Sequence, residues 1–556
     1  MSSTSFRDAI RLWAQDCGIL EFAASTKAIG GALKSSAEDF RVNELTSKGK
    51  NEVTWVDGSS PDSADESREI AAMRDVTVED ASEPSGIIRF TLQKERMDTL
   101  GAIGELAARL NVPVRSFGFA GLKDFRAITT QELTLHGCTA ERMRAAVATQ
   151  LGGLRLRICD IRPATRGLKL GECAGNRFRI VIRRCINKPK RIRKALRALK
   201  RGGFVNYYGL QRFGDPGNGN DELGMRLLRG EYVEAVASAL RPMDPRATLP
   251  ASARARSSGN GDGDGGDVVR AAYERKVESS EIEAREAWTC AGDARTALKL
   301  MPKRRVVERS LLKRLADPPP RPEGGEEGEE GAEGEQVDAY EATCRSAVLG
   351  LPFKLRRLLA HAYFSRLWNL AASERLRRHG TAPAVEGELV IPPGLPRAAR
   401  GAPGRRRQHV HRVTAAEAAS ATFDARCVVI PLPGADVLYP ETPDGVLYKQ
   451  RLFHDGIDPE APGIEASAGR ACDDNWFSLQ GDYRHLLQRP KRMRWEILEE
   501  EVSAHEAEGR PQASVRSHLD VAVQFDLGPG AYATMALREV MDPRSSHARP
   551  PHHIRF

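Results

Sequence analysis

Residues Ala120–Gly137 read AGLKDFRAITTQELTLHG, and the fold turns on how this passage divides. A small Ala-Gly pair and a Lys-Asp pair precede a strand-like run, Ala127 to Leu135, that is rich in β-branched residues. An ionised Asp124 beside Lys123, on a glycine turn that opens a strand, has two readings. It is an ordinary Asp turn, in which the side chain bonds its own backbone, or it presents a carboxylate. The passage alone leaves both open.

The segments on either side alternate between the same two kinds of element. DFRVNEL from Asp39, GIIRFTLQK from Gly86 and the run Phe178 to Ile182 have the β-branched and aromatic character of strands, whereas DTLGAIGELAARLN from Asp98 carries apolar residues at helical spacing behind a capping Asp. A long helix is predicted from Leu351, with Leu355, Leu358, Leu359, Tyr363, Leu367 and Leu370 on one stripe and Gly380 as its stop. SHLDVAVQFDLGPGAYATMALREVM closes the pattern as strand, Gly-Pro-Gly turn and helix. The class is mixed α/β, of the α+β kind.

Over 556 residues, 41% are hydrophobic and 29% charged, the balance of a globular protein of several domains. No apolar run approaches the ~18 residues of a spanning helix. The first twenty residues lack a secretory pattern, so the chain is expected inside the cell, in nucleus or cytoplasm. Arg7 and Arg11 leave a mitochondrial address open, although Asp8 and Asp16 oppose it. Nine cysteines without a Cys-x-x-Cys pair predict neither a disulfide framework nor a zinc site. His547, His552 and His553 are expected to be a flexible tail, and no metal or cofactor is expected.

The net charge of +9 is clustered. GNRFRIVIRRCINKPKRIRKALRALKRGG, residues 175–203, contains no acidic residue. A solvated face interleaves both signs, whereas a run of one sign predicts a surface that neutralises phosphates. Arg191, Arg193, Lys194 and Lys123 are the expected contacts to a nucleic-acid backbone. Residues 46–85, 256–267 and 318–336 bury too little apolar surface to offset the entropy of ordering, and are expected to be disordered insertions. RAARGAPGRRRQHVHR from Arg397 is a basic loop.

Taken together, six blocks resemble the TruD family of tRNA pseudouridine synthases in its larger, eukaryotic-type form. They are ALKSSAEDFRVNEL from Ala32, FGFAGLKDFRAITTQ from Phe117, GNRFRIVIR from Gly175, NYYGLQRFG from Asn206, LPG with a following Tyr-Pro from Leu432, and GPGAYATMALRE from Gly528. Their order makes the set far more specific than a lone Gly-Leu-Lys-Asp. The departures are the long insertions and Tyr532, where the family often has Phe.

The resemblance implies a pseudouridine synthase core with a mixed, largely antiparallel sheet, formed by residues 1–205 and 491–556, and an inserted α/β TRUD domain at 206–490. It implies isomerisation of uridine in RNA, with tRNA position 13 the bacterial-type target and other RNAs open; a monomer is expected. Asp124 would be the carboxylate at the ribose, as nucleophile or base, and Lys34 its charge partner. Phe40, Asn176, Phe178 and Tyr532 would hold the uracil, and Gly118 and Gly121 would make the turn that exposes Asp124. Lys123, adjacent to Asp124 on an extended segment, would point to the opposite face, toward phosphate or solvent. A catalytically silent RNA-binding or RNA-folding protein on the same fold is the rival reading, and it has no need of the Asp124 and Lys34 pair. A nuclease would want metal-ligand carboxylates or a His pair, neither of which is found at useful spacing.

Overall fold

In the computed structural model, residues 14–23, 29–46, 51–54, 86–149, 155–185, 187–215, 218–242, 279–303, 305–317, 332–393, 409–465, 476–499 and 518–541 are described. Strands from both ends of the chain form one eight-stranded sheet. They are β1 (Phe40–Leu45), β2 (Ile87–Glu95), β3 (Phe117–Phe119), β4 (Ile128–His136), β5 (Leu156–Pro163), β6 (Gly175–Cys185), β7 (Lys491–Glu499) and β8 (Leu519–Leu527). The order is β7-β8-β6-β1-β4-β2-β5, with β3 paired to β4. Only β1 and β4 run parallel; the other pairs are antiparallel.

The crossover that a parallel pair requires contains β2 and helix α1 (Thr99–Leu110). Asp98 caps α1 by accepting from the Gly101 amide at 2.7 Å, and Asn111 ends it in the left-handed region. Ala102, Ile103, Leu106 and Leu110 recur at helical spacing and pack into one cluster with Phe90, Leu92 and Leu133 of the sheet. Helix α2 (Ala140–Thr149) joins that cluster through Met143. Helix α3 (Pro189–Gly202) buries Ile192, Ala195, Leu196 and Leu199, and helix α4 (Ala533–Arg538) follows β8. At the start of β6, a Cβ on Gly175 would lie 2.0 Å from the Leu527 carbonyl oxygen, so β6 and β8 meet there only because residue 175 is glycine.

Contacts divide the chain into two units, residues 26–202 with 489–555, and residues 203–488 with 1–25. The second is mainly helical around the long helix Phe353–His379, which buries Leu359, Tyr363, Phe364, Leu367 and Trp368. Leu370 of the expected stripe is 36% exposed. The division departs at the amino terminus from the sequence expectation, which places residues 1–205 with the sheet. Residues 14–23 instead lie along the long helix, where Asn369 donates to the Cys17 carbonyl at 3.0 Å and Ser373 to the Gly18 carbonyl at 2.7 Å. Polar side chains on a buried helix supplied those partners, and no hydrophobic pattern reports them.

Two expected insertions also need correction at their edges. Glu52, inside 46–85, bridges to Leu45, and Val53 is 6% exposed. A helix begins at Ala332, inside 318–336. The remainder of 46–85, segment 256–267, most of the basic loop from Arg397, the histidine tail and the residues around Arg7 and Arg11 lie outside the described residues. Among the described residues, no helix is long and apolar enough to cross a membrane.

Candidate active site

The loop between β3 and β4, residues 120–127, is held from four elements. The Lys123 amide donates to Thr99 Oγ1 at 3.0 Å, at the head of α1, and Thr99 donates onward to Gln131 Oε1 of β4 at 3.0 Å. Gln131 Nε2 returns to the Gly121 carbonyl at 3.1 Å. Lys94 Nζ, at the end of β2, donates to the carbonyls of Met97, Asp124 and Lys123 at 2.6, 3.1 and 3.5 Å. Lys123 Nζ reaches Glu44 of β1 at 2.6 Å, with both side chains 3% exposed. Burial pushes the Glu44 carboxyl up, and the Lys123 ammonium opposes that rise.

Lys123 is therefore not a backbone-phosphate contact. Its ammonium meets the buried Glu44 carboxylate, whereas the Asp124 carboxylate meets Lys34. The glycine reading changes too. Gly118 sits within β3, where a Cβ would come 2.7 Å from the Leu168 carbonyl oxygen, and Gly121 has only an ordinary 3.6 Å approach to Lys123 Nζ. Close packing of backbone explains the first, and nothing in the structure demands the second.

Asp124 sits on this clamped loop with its side chain 24% exposed, and Lys34 Nζ lies 3.8 Å from its Oδ2. Lys34 has φ of 55° and holds its ammonium 4.1 Å from the centre of the Phe40 ring. Phe40 meets Phe178 edge to face at 6.2 Å, and Phe178 meets Phe525 at 5.7 Å. Phe40 and Phe178 are 1% and 5% exposed, so in this structure they form the floor of the site rather than open stacking faces. Asn176, opposite Glu44 in β1 and Leu527 in β8, has a buried Oδ1 with no hydrogen-bond partner. A buried acceptor without a donor is costly, and it suits a ligand N–H. Tyr532 is half-buried as the N-cap of α4, shortly beyond Leu527. The structure thus links Asp124, Lys34, Phe40 and Phe178 by direct contacts, and brings Asn176 to the same sheet through its strand register.

The basic run separates into two parts. On α3, Lys190, Arg191, Arg193, Lys194, Arg197, Lys200 and Arg201 are exposed around the apolar stripe. On β6, three of the four arginines are ion-paired within the protein: Arg177 with Glu52 and Asp526, Arg179 with Glu52, and Arg183 with Asp39 and Asp520, while Arg184 is exposed. A single sign along the chain had suggested a phosphate surface throughout, but neighbouring segments deliver acids across β6. Glu44, Lys94, Thr99 and Gln131 went unnoticed in the sequence. Their only signal is a polar residue inside an otherwise apolar strand or at a helix start.

The profile of the tRNA pseudouridine synthase D (TruD) family matches residues 16–273 and 262–540. The mouse pseudouridylate synthase PUS7L is 31% identical over 463 residues, covering 81% of this chain and 56% of the relative. The multisubstrate pseudouridine synthase 7 of Schizosaccharomyces pombe is 28% identical over 479 residues, covering 81% and 61%. The chain therefore spans little more than half the length of these curated relatives. A crystal structure from Methanosarcina mazei, assigned to tRNA pseudouridine synthase D, superposes with a TM-score of 0.54 at 21% identity, covering 95% of this chain and 98% of that one, and carries the fold alone.

Proposed function

The chain belongs to the TruD family of pseudouridine synthases, and from that premise we propose that it isomerises uridine to pseudouridine in RNA, with Asp124 as the carboxylate at the ribose. The observation that carries the reading is Asp124, part-exposed and 3.8 Å from the Lys34 ammonium on a loop tied to four elements. A carboxylate that must act on carbon or on a ribose proton has to be ionised and held still. Lys34 supplies the opposing charge, and the clamp supplies the stillness.

The reaction breaks the bond from C1′ to N1, turns the uracil and forms a bond from C1′ to C5, with the C5 proton released to solvent and a proton taken up at N1. A uridine can reach the loop only if it leaves its stack. The unpaired Asn176 Oδ1 then accepts from uracil N3–H, Phe40 and Phe178 form the apolar floor, and Tyr532 borders the same end of the sheet. Arg191, Arg193 and Lys194 on α3 contact phosphates. The tRNA of the family's name favours tRNA as substrate, of the position 13 type, and the multisubstrate relative leaves other RNAs open.

Asp124→Asn tests this assignment. The exchange removes charge while keeping size, so RNA affinity and folding persist and tritium release from 5-tritiated uridine in RNA disappears in single turnover. Wild-type turnover by the Asn variant would remove Asp124 from the chemistry. No tritium release by the unaltered protein on any RNA pool would favour the silent RNA-binding reading.

A further inference from the structure

Lys94 is 1% exposed, and among the described residues no carboxylate forms an ion pair with it. Burying an ammonium without a counter-charge is costly, and an apolar side chain of similar length would occupy the same volume without that cost. What the ammonium gains is three carbonyl oxygens, those of Met97, Lys123 and Asp124. An ammonium has three N–H groups, one for each; the neutral amine has two. Two of the three carbonyls belong to the loop that carries the catalytic candidate, one of them to Asp124 itself.

We propose that Lys94 is the positioning residue of the reaction: its charged amine fixes the backbone of Lys123 and Asp124 and so aims the Asp124 carboxylate, which Lys34 holds from the side-chain end. The proposal rests on the pseudouridine synthase reading and names a residue that does not touch the substrate. Lys94 faces Asp98 at the head of α1 and Asp124 and Lys123 in the loop. Burial outweighs the attraction of the two aspartates and brings the ammonium down to about 8 from its usual 10.5.

Two pH dependences of opposite sign follow. Below about 8 the ammonium is present, the loop is tied and isomerisation runs; as pH rises through that value one donor and the charge are lost, and the rate falls. For stability the sign reverses. A lysine lowered in the fold binds fewer protons than in the unfolded chain, so the Lys94 contribution rises with pH between about 8 and 10.5. A tie that served folding alone would leave the rate per folded molecule flat.

The experiment is single-turnover tritium release at saturating enzyme across this pH range, with an RNA-binding curve at each pH, for the unaltered protein and Lys94→Met. At neutral pH the Met variant is expected to react about tenfold more slowly or worse with Kd changed less than about twofold, and its profile lacks the alkaline fall. Lys94→Cys, alkylated to the aminoethyl thioether, restores the rate with that fall displaced to lower pH, because the sulfur makes the amine less basic. A Met variant with the unaltered rate and profile overturns the proposal. If neither variant folds, the profile of the unaltered protein decides, and a flat rate through pH 8 at saturation overturns the proposal equally. Absence of tritium release from the unaltered protein is a different failure, since it removes the activity on which the proposal stands.

Discussion

Lys123 and Asp124 are neighbours in sequence with opposite duties. Asp124 is part-exposed beside Lys34, whereas Lys123 is sealed against Glu44 at 2.6 Å. A buried pair adds little over a well-packed apolar pair, yet breaking it from one side leaves an uncompensated charge. Lys123→Met is therefore expected to cost about 3–5 kcal/mol, read as a lowered urea midpoint, and the double variant with Glu44→Gln should recover much of that. The pH dependence has a definite sign. Burial raises the Glu44 carboxyl above its usual 4.5, so its contribution to stability is greatest below 4.5 and declines as pH rises through the raised value. Losing the Lys123 charge must steepen that decline, and a Met variant whose stability is flat over this range would contradict the assignment.

At the scale of the element, α3 and β6 divide the basic run by their environments. On the outer helix α3 the basic side chains are exposed, and Lys200 lies over the Trp495 ring of β7 at 5.7 Å. Replacing Arg191, Arg193 and Lys194 together by Glu should weaken all RNAs to a similar degree and reduce the salt slope by about 0.7 for each lost single-strand phosphate contact. Unchanged affinity and slope in the folded triple variant would take α3 off the RNA path. β6 has strands on both sides, and its arginines hold Glu52 and Asp526 below their ordinary values of 4.5 and 3.8, against the opposing effect of burial. Stabilisation from these carboxylates is complete above those ordinary values and is lost as pH falls through the lowered ones. Acid unfolding followed by circular dichroism should accordingly show a shallower pH slope in Glu52→Gln and Asp526→Asn than in the unaltered protein.

In the whole molecule, the sheet closes only when β7 and β8, from the last part of the chain, pair beside β6. Everything between residues 203 and 488 belongs to the other unit, so folding of the sheet depends on contacts of very high sequence separation. Loop length inside that second unit should matter little, because closure entropy grows only slowly with length. Exchanging residues 319–330 for a Gly-Ser linker, which stops short of the helix that starts at Ala332, is expected to leave the thermal midpoint and the single-turnover rate unchanged. Loss of folding in that variant would mean that the acidic stretch packs against the domain.

The sequence alone determined whatever depends on neighbours along the chain. β-Branched runs became strands at Phe40, Ile87 and Ile128, Asp98 became a helix cap, and the Gly-Leu-Lys-Asp block located the loop that carries Asp124. Those features follow from local backbone preference and hydrophobic period. Only the tertiary structure decided what depends on distant partners: that Lys123 meets Glu44, that Lys94 grips the loop by its carbonyls, that Arg177, Arg179 and Arg183 are neutralised from other segments, and that residues 14–23 lie on the long helix. A charge in the sequence has a sign but no neighbour. Whether it meets phosphate, a carboxylate or a carbonyl is set by which strands the fold lays beside it, because pair interactions fall off within a few ångströms of contact and the low dielectric of the interior makes each such meeting decisive.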